Sequence, residues 1–164
     1  QEATPSPWSS VRLDVFTHYF AKEYIEKNIP RVVYIAYGET DDFAHDGAYD
    51  HYLDAANRTD QFIKDLWDFC QSHPKYQNKT AFIITTDHGR GDVVKEEWTS
   101  HGSSVEGAGA IWVAAIGQGI APLGEMKSKG QWYQNQIAAT VLQLLGLETN
   151  LLGGETGQAL KLKE

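Results

Sequence analysis

Three short apolar runs that alternate with longer helical patterns constrain the fold of this chain most. The runs cover residues 31–37, 80–86 and 110–116, and each has the length and the β-branched or aromatic content of a buried strand. Apolar residues three and four positions apart predict amphipathic helices over 11–28, 47–72 and about 137–145. Strands separated by helices favour a largely parallel sheet. We therefore predict an α/β fold with a mostly parallel sheet flanked by helices on both faces.

The domain organisation follows from the length of the chain and from its first residues. The chain has 164 residues, which is enough for one domain with a sizeable core. Residues 1–10 are largely polar, begin with Gln1 and contain two of the five prolines, as a processed terminus or a linker does. We expect residues 1–10 to be a flexible leader and residues 11–164 to be a single α/β domain.

Charge, cysteine content and hydropathy exclude several classes of function. The chain has 14 Lys and Arg against 22 Asp and Glu, a formal net charge of −8, which argues against nucleic acid as a structural partner. Its single cysteine, Cys70, excludes an internal disulfide and a cysteine-rich zinc site, and its place in a helical pattern favours the core. No apolar stretch approaches the ~20 residues of a transmembrane helix, so no membrane span is expected.

Acidic and imidazole side chains follow two of the predicted strands. Asp87-His88-Gly89 comes directly after the 80–86 run, and Asp41 and His45 follow the 31–37 run. His101 lies in a polar loop further along. Strand ends of an α/β sheet can bring such groups together on a ligand, so these five residues are the predicted metal ligands. The alternatives are a capping Asp87 with an ordinary loop histidine beside it, and a solvent-exposed His101.

The spacing of Asp41 and His45 is weak evidence by itself, because Asp14 and His18 repeat it. Asp14 and His18 lie in the first predicted helix, opposite its apolar face, so we expect both on a solvated surface. Asp41 and His45 are instead expected in a loop that follows a strand, and they have companions of the same chemistry. Metal ligation is therefore predicted for this pair and not for the other.

The order Asp41-x-x-x-His45, Thr86-Asp87-His88-Gly89 and His101-Gly102 resembles the C-terminal half of the alkaline phosphatase superfamily. It is especially similar to the nucleotide pyrophosphatase/phosphodiesterase branch, whose relatives include cofactor-independent phosphoglycerate mutases and sulfatases. The apolar run 136–146 is also similar to the terminal helix of that superfamily. The resemblance extends from Arg31 to the C-terminus. It implies that residues 11–164 are the C-terminal part of a larger metallohydrolase.

The resemblance also implies two divalent metal ions at the carboxyl ends of the strands, usually zinc, with manganese as the alternative. Asp41, His45 and His101 would hold one ion, and Asp87 and His88 would hold the other. Two imidazoles and one carboxylate leave an open coordination position, as a catalytic zinc ion requires. A pair of ions about 4 Å apart can stabilise the entering and the leaving oxygen of a displacement at phosphorus.

The nucleophile of that superfamily has no counterpart in this chain. The resemblance places a nucleophilic Thr or Ser, with a further metal-binding Asp, on an N-terminal segment. The residues before Arg31 instead read as a leader and an amphipathic helix. Thr40, Thr86 and Ser100 lie near the predicted ligands but not at the nucleophile position. We therefore predict no catalytic residue here, and we expect the N-terminal half of a parent protein as the partner.

Three hypotheses for the function follow. The first is the metal-binding C-terminal domain of a phosphoric-ester hydrolase, of phosphodiesterase or phosphatase type, that acts on a small phosphate ester by a two-metal mechanism. The second is a sulfatase or phosphomutase relative. The third is a non-catalytic domain that binds a metal ion or an anion. Ala44, where phosphodiesterases commonly have glycine, weakens the assignment to that branch. Exported relatives are common in the superfamily, which favours a periplasmic or extracellular location.

Overall fold

Helices make up one unit of this protein, and a two-stranded sheet with one helix makes up a second unit. The structure is a computed structural model that describes residues 6–9, 11–127, 130–149, 153–154 and 156–162. The first unit comprises Gln1–Gln77 and His88–Ala110, and the second comprises Asn78–Asp87 and Ile111–Glu164. Most of the predicted leader, residues 1–5 and 10, lies outside the described residues. Within residues 6–9, the indole Nε1 of Trp8 donates to Asp46 Oδ2 at 2.8 Å.

The first unit is helical, and its longest element is the helix predicted from the 47–72 pattern. The unit contains α1 (Asp14–Asn28), α2 (Glu39–His45), α3 (Tyr49–Ser72) and a 3₁₀ helix, Lys95–Thr99. Ala55, Leu66 and Cys70 form the buried stripe of α3, so the core position predicted for Cys70 is confirmed. Burying such a stripe supplies most of the stability of an amphipathic helix.

Helix α1 forms where the spacing predicts it, but with the opposite face inward. Asp14 and His18 are only 2% and 1% exposed, whereas Phe20 and Tyr24 lie at the surface. The solvated surface predicted for Asp14 and His18 is therefore wrong. Burial is tolerated because both side chains have hydrogen-bond partners: His18 Nδ1 contacts Tyr37 Oη at 3.1 Å, and Asp14 bonds to the start of α2.

Residues 31–37 do not form the predicted strand. The run follows Pro30 and has no β-ladder partner among the residues that the structure describes. Val32 and Val33 are exposed, and Tyr34 is 88% exposed. An apolar run shows only that a segment suits a sheet, and a strand forms only where a neighbour supplies the backbone hydrogen bonds.

The second unit contains a two-stranded sheet and one helix. Strands β1 (Ala81–Thr85) and β2 (Val113–Gly117) form near the predicted positions, but they pair antiparallel, with Ala81 opposite Gly117 and Thr85 opposite Val113. The described sheet does not confirm the predicted parallel one. A parallel pair needs a crossover connection, usually an α-helix, whereas the chain between β1 and β2 contains only the short 3₁₀ helix.

The terminal helix also forms as predicted. Helix α4 (Gln136–Leu144) ends just before Gly146, which adopts a left-handed conformation with φ 71°. Thr140 is buried on this helix, and its hydroxyl accepts a hydrogen bond from the Leu160 backbone N–H at 2.9 Å. This contact attaches the last described residues to α4. None of the helices in the described part of the chain has the length and apolarity of a membrane span.

Candidate metal centre

Asp41 and His45 lie on helix α2 and not in the predicted loop after a strand, so they share one side of two successive turns. Because the two residues are four positions apart, their side chains meet, with His45 Nε2 3.4 Å from Asp41 Oδ2. Asp42 stands beside them. Its burial, and then the charge of Asp41, raise the pKa of the Asp42 carboxyl group. The helix is only seven residues long, so its orientation depends on contacts made by its first turn.

Asp14 and Glu39 make those contacts. The carboxylate of Asp14 accepts hydrogen bonds from the backbone N–H groups of Gly38 at 2.8 Å and Glu39 at 3.1 Å. In return, Glu39 Oε1 accepts from the Asp14 backbone N–H at 2.8 Å, and Arg58 donates to Glu39 Oε2 at 3.1 Å. Burial raises the pKa of Asp14, although its two backbone hydrogen bonds act in the opposite direction. The pair attaches the start of α2 to the start of α1.

The loop after His88 depends on a glycine at position 89. The Gly89 N–H donates to Ala108 O at 2.8 Å, which closes the loop on itself. A Cβ atom on Gly89 would lie 2.9 Å from Gly107 O and still closer to Ala110 O. Only glycine fits this approach of two backbone segments, which explains the glycine of the Asp87-His88-Gly89 motif.

The same loop brings His88 and His101 face to face. The Gly91 N–H donates to Ser100 O at 3.2 Å and holds the two arms of the loop together. The imidazole rings are stacked, with centroids 3.8 Å apart and an interplanar angle of 18°. His88 Nδ1 lies 2.9 Å from Gly89 O, so a proton on Nδ1 would leave Nε2 as the ligand atom.

Asp41 is the centre of the cluster. Its Oδ1 atom lies 3.6 Å from His88 Nε2 and 3.6 Å from His101 Nε2, and the three ligand atoms all lie within 4.8 Å of one another. His45 Nε2 is 3.0 Å from His101 Nε2. All four side chains are partly exposed, so an ion in solution could reach them.

These distances fit a bound divalent cation. Zn–N bonds of about 2.0–2.1 Å in a tetrahedral site place neighbouring ligand atoms about 3.3 Å apart. His45 Nε2 is 3.4 Å from Asp41 Oδ2 and 3.0 Å from His101 Nε2, and His101 Nε2 is 3.6 Å from Asp41 Oδ1. These separations lie on both sides of that value. Three imidazoles and one carboxylate are also ligand types that zinc accepts, and the carboxylate suits manganese.

The structure groups the predicted ligands differently from the division that the resemblance implied. His88 lies with Asp41 and His101, although the resemblance placed it with Asp87 at a second ion. Asp87 belongs to the second unit, where its backbone carbonyl accepts from Gln134 Nε2 at 3.0 Å. The proximity of Asp41, His45, His88 and His101 is therefore established, and ligation by Asp87 stays a prediction.

Sequence reasoning missed Arg90. Its guanidinium Nη2 donates to Asp41 Oδ1 in a very short contact and to the Asp41 backbone carbonyl at 2.9 Å. Nη1 donates to Trp98 O at 3.4 Å. The side chain is only 14% exposed. The available signal was its position, because an arginine two residues after a predicted ligand can reach another ligand of the same site.

Comparisons with known proteins agree with a metal site of this kind. A family model described as the Metalloenzyme superfamily matches residues 17–149. A 2,3-bisphosphoglycerate-independent phosphoglycerate mutase of Gracilaria tenuistipitata var. liui is 34% identical over 84 residues. That match covers 49% of this chain and only 16% of the mutase. No solved structure matches the chain.

The relative is a mutase, so the comparisons do not support the phosphodiesterase branch that the sequence favoured. The coarser assignment has direct support, because the family match spans most of the chain and includes Asp41, His45, Asp87, His88 and His101. The chain therefore belongs to the Metalloenzyme superfamily, the alkaline phosphatase-like family that its metal-ligand motifs resemble.

Proposed function

We propose that this chain supplies metal ligands to an enzyme of the phosphomutase type, which transfers a phosphoryl group within a small phosphate ester. The observation that carries the proposal is the convergence of Asp41, His88 and His101, with His45 3.0 Å from His101. The similarity to a phosphoglycerate mutase favours this type over the phosphodiesterase, phosphatase and sulfatase types. Because the match covers 16% of that mutase, the activity is proposed for the protein of which this chain is a part.

Each ligand has a defined task in this proposal. The imidazoles of His45, His88 and His101 present Nε2 atoms towards the Asp41 carboxylate, and these four side chains would hold a divalent ion. Asp87 is proposed as a ligand of a second ion. Such ions would supply positive charge that stabilises the phosphoryl oxygens during transfer. Both Zn²⁺ and Mn²⁺ accept this mixture of imidazole and carboxylate, and the mutase type makes Mn²⁺ the ion to test first.

The nucleophile is proposed to lie in sequence outside this chain. Asp41 and the three histidines can hold an ion and orient a phosphate, but they are committed to ligation in this proposal. A hydroxyl that attacks phosphorus must come from a Ser or Thr held beside the ions. We therefore expect this chain to bind metal and phosphate by itself, and to transfer phosphoryl groups only within the complete protein.

Metal titration of matched histidine variants tests the site. We expect calorimetry to show binding of Mn²⁺ or Zn²⁺ to the wild type, and affinity lower by at least tenfold in His101→Ala. His51→Ala is the control, because His51 is an exposed histidine of α3 in contact with the Phe43 ring. Equal affinity in all three proteins would remove His101 from the site.

A second measurement tests the reaction. Phosphorus NMR of the complete protein with 3-phosphoglycerate and the bound metal should show 2-phosphoglycerate accumulating, and His101→Ala should abolish the conversion. Metal binding without any turnover of phosphate esters would support the non-catalytic alternative instead.

A further inference from the structure

We propose that Arg90 is a positioning residue that holds Asp41 in the geometry required for metal binding. The inference rests on the proposed metal site and assigns a role to a side chain that is not itself a ligand.

The contacts of Arg90 link the two segments that carry the ligands. Arg90 follows His88 by two residues, and its guanidinium reaches across to Asp41 on α2. It bonds to both the side-chain and the backbone oxygen of Asp41, and also to the carbonyl of Trp98, three residues before His101. One partly buried cation thus joins α2 to both arms of the loop.

The shape of the guanidinium matters as much as its charge. Two acceptors on Asp41 and a third on Trp98 require donors spread in a plane, which arginine has and lysine lacks. With Arg90 occupying one lone pair of Asp41 Oδ1, the carboxylate cannot rotate freely. Its oxygens stay 3.6 Å from His88 and His101 on one side and 3.4 Å from His45 on the other.

A competing role for Arg90 predicts the opposite result. If Arg90 only added positive charge beside the site, it would repel a divalent cation, and its removal would strengthen metal binding. If Arg90 positions Asp41, its removal frees the carboxylate and weakens binding. Loss of a side chain that orients a metal ligand typically lowers metal affinity about 10–100-fold. The sign of the change therefore separates the two roles.

The experiment compares Arg90→Ala and Arg90→Lys with Arg12→Ala. Arg12 is an exposed arginine of the same unit that bonds to Thr17, so Arg12→Ala removes the same unit of charge away from the site. Titrations with Mn²⁺ and Co²⁺ give affinities, and the visible absorption of bound Co²⁺ reports its coordination geometry. Circular dichroism confirms that each variant is folded.

We expect Arg90→Ala to weaken binding of both ions about 10–100-fold and to change the Co²⁺ spectrum. Arg90→Lys should keep the charge and the fold, yet bind more weakly than the wild type with an altered spectrum. Arg12→Ala should match the wild type. Wild-type affinity and spectrum in Arg90→Lys, or unchanged or tighter binding in Arg90→Ala, would overturn the inference. Failure of the wild type to bind either ion would instead overturn the proposed function.

Discussion

Asp14 and Glu39 cap each other's backbone. The Asp14 N–H donates to Glu39 Oε1 at 2.8 Å, and the Glu39 N–H donates to Asp14 Oδ2 at 3.1 Å. Such a reciprocal pair satisfies N–H groups that the first turn of a helix leaves without partners. Here the two helices are different ones, so the pair also orients α2, which carries Asp41 and His45.

Truncation of Asp14 should destabilise the first unit. Asp14→Ala leaves the N–H groups of Gly38 and Glu39 without their acceptor in a buried place, which costs about 1–3 kcal/mol. Urea unfolding measures this loss. Asp60→Ala, at an exposed position of α3, is the matched control and should stay within about 0.5 kcal/mol of the wild type. Equal stability of the two variants would show that the pair contributes little.

The same carboxyl group should make stability depend on pH. Burial raises the pKa of Asp14 above 3.8, so the folded protein holds this proton more tightly than the unfolded chain. The corresponding stability is present below pH 3.8 and is lost as the pH rises through the raised value. The side chain of Asp14→Asn cannot titrate. The wild type should therefore lose stability relative to Asp14→Asn as the pH rises from 3.8 through the raised pKa of Asp14. Urea titrations from pH 3.5 upward test this, and a constant difference would contradict it.

His18 should contribute to stability through the hydrogen bonds of its buried ring. Its Nε2 lies 2.9 Å from Asp65 Oδ2, and its ring stacks on Phe62 with centroids 4.3 Å apart. His18→Phe keeps an aromatic ring but leaves Tyr37 Oη without this partner, so we expect a loss of about 1–3 kcal/mol. In a Tyr37→Phe background, His18→Phe should lower the free energy of unfolding by less than it does in the wild type. Identical costs in the two backgrounds would show that the hydrogen bond to Tyr37 has no net value.

Gly89 should be intolerant of a side chain, whereas Gly109 should accept one. Gly89→Ala places a Cβ 2.9 Å from Gly107 O, so the loop must shift, at a cost of about 1–3 kcal/mol. Because His88 precedes this glycine, metal affinity should also fall. A Cβ on Gly109 meets no atom within 4 Å, so Gly109→Ala is the control. Thermal unfolding and Mn²⁺ titration should separate the two variants, and equal behaviour would contradict the close approach at Gly89.

The sequence by itself determined the features that depend on neighbouring residues. The periodicity of apolar side chains predicted α3 and α4, and two short apolar runs predicted β1 and β2, because such patterns report which face of a local element is buried. Residue types and order also identified Asp41 and the histidines that meet around it. Imidazole and carboxylate groups after apolar runs have few structural uses.

The tertiary structure alone decided the features that depend on distant partners. Asp14 and His18 are buried because they meet Glu39 and Asp65, 25 and 47 positions away, and a helical pattern cannot identify such partners. Arg90 reaches Asp41 across 49 positions for the same reason. The relative direction of two strands likewise depends on the path of the chain between them. The antiparallel pairing of β1 with β2 could therefore not be predicted from either apolar run. Local patterns select the elements, whereas burial of polar groups and pairing of strands follow from contacts that exist only in the folded chain.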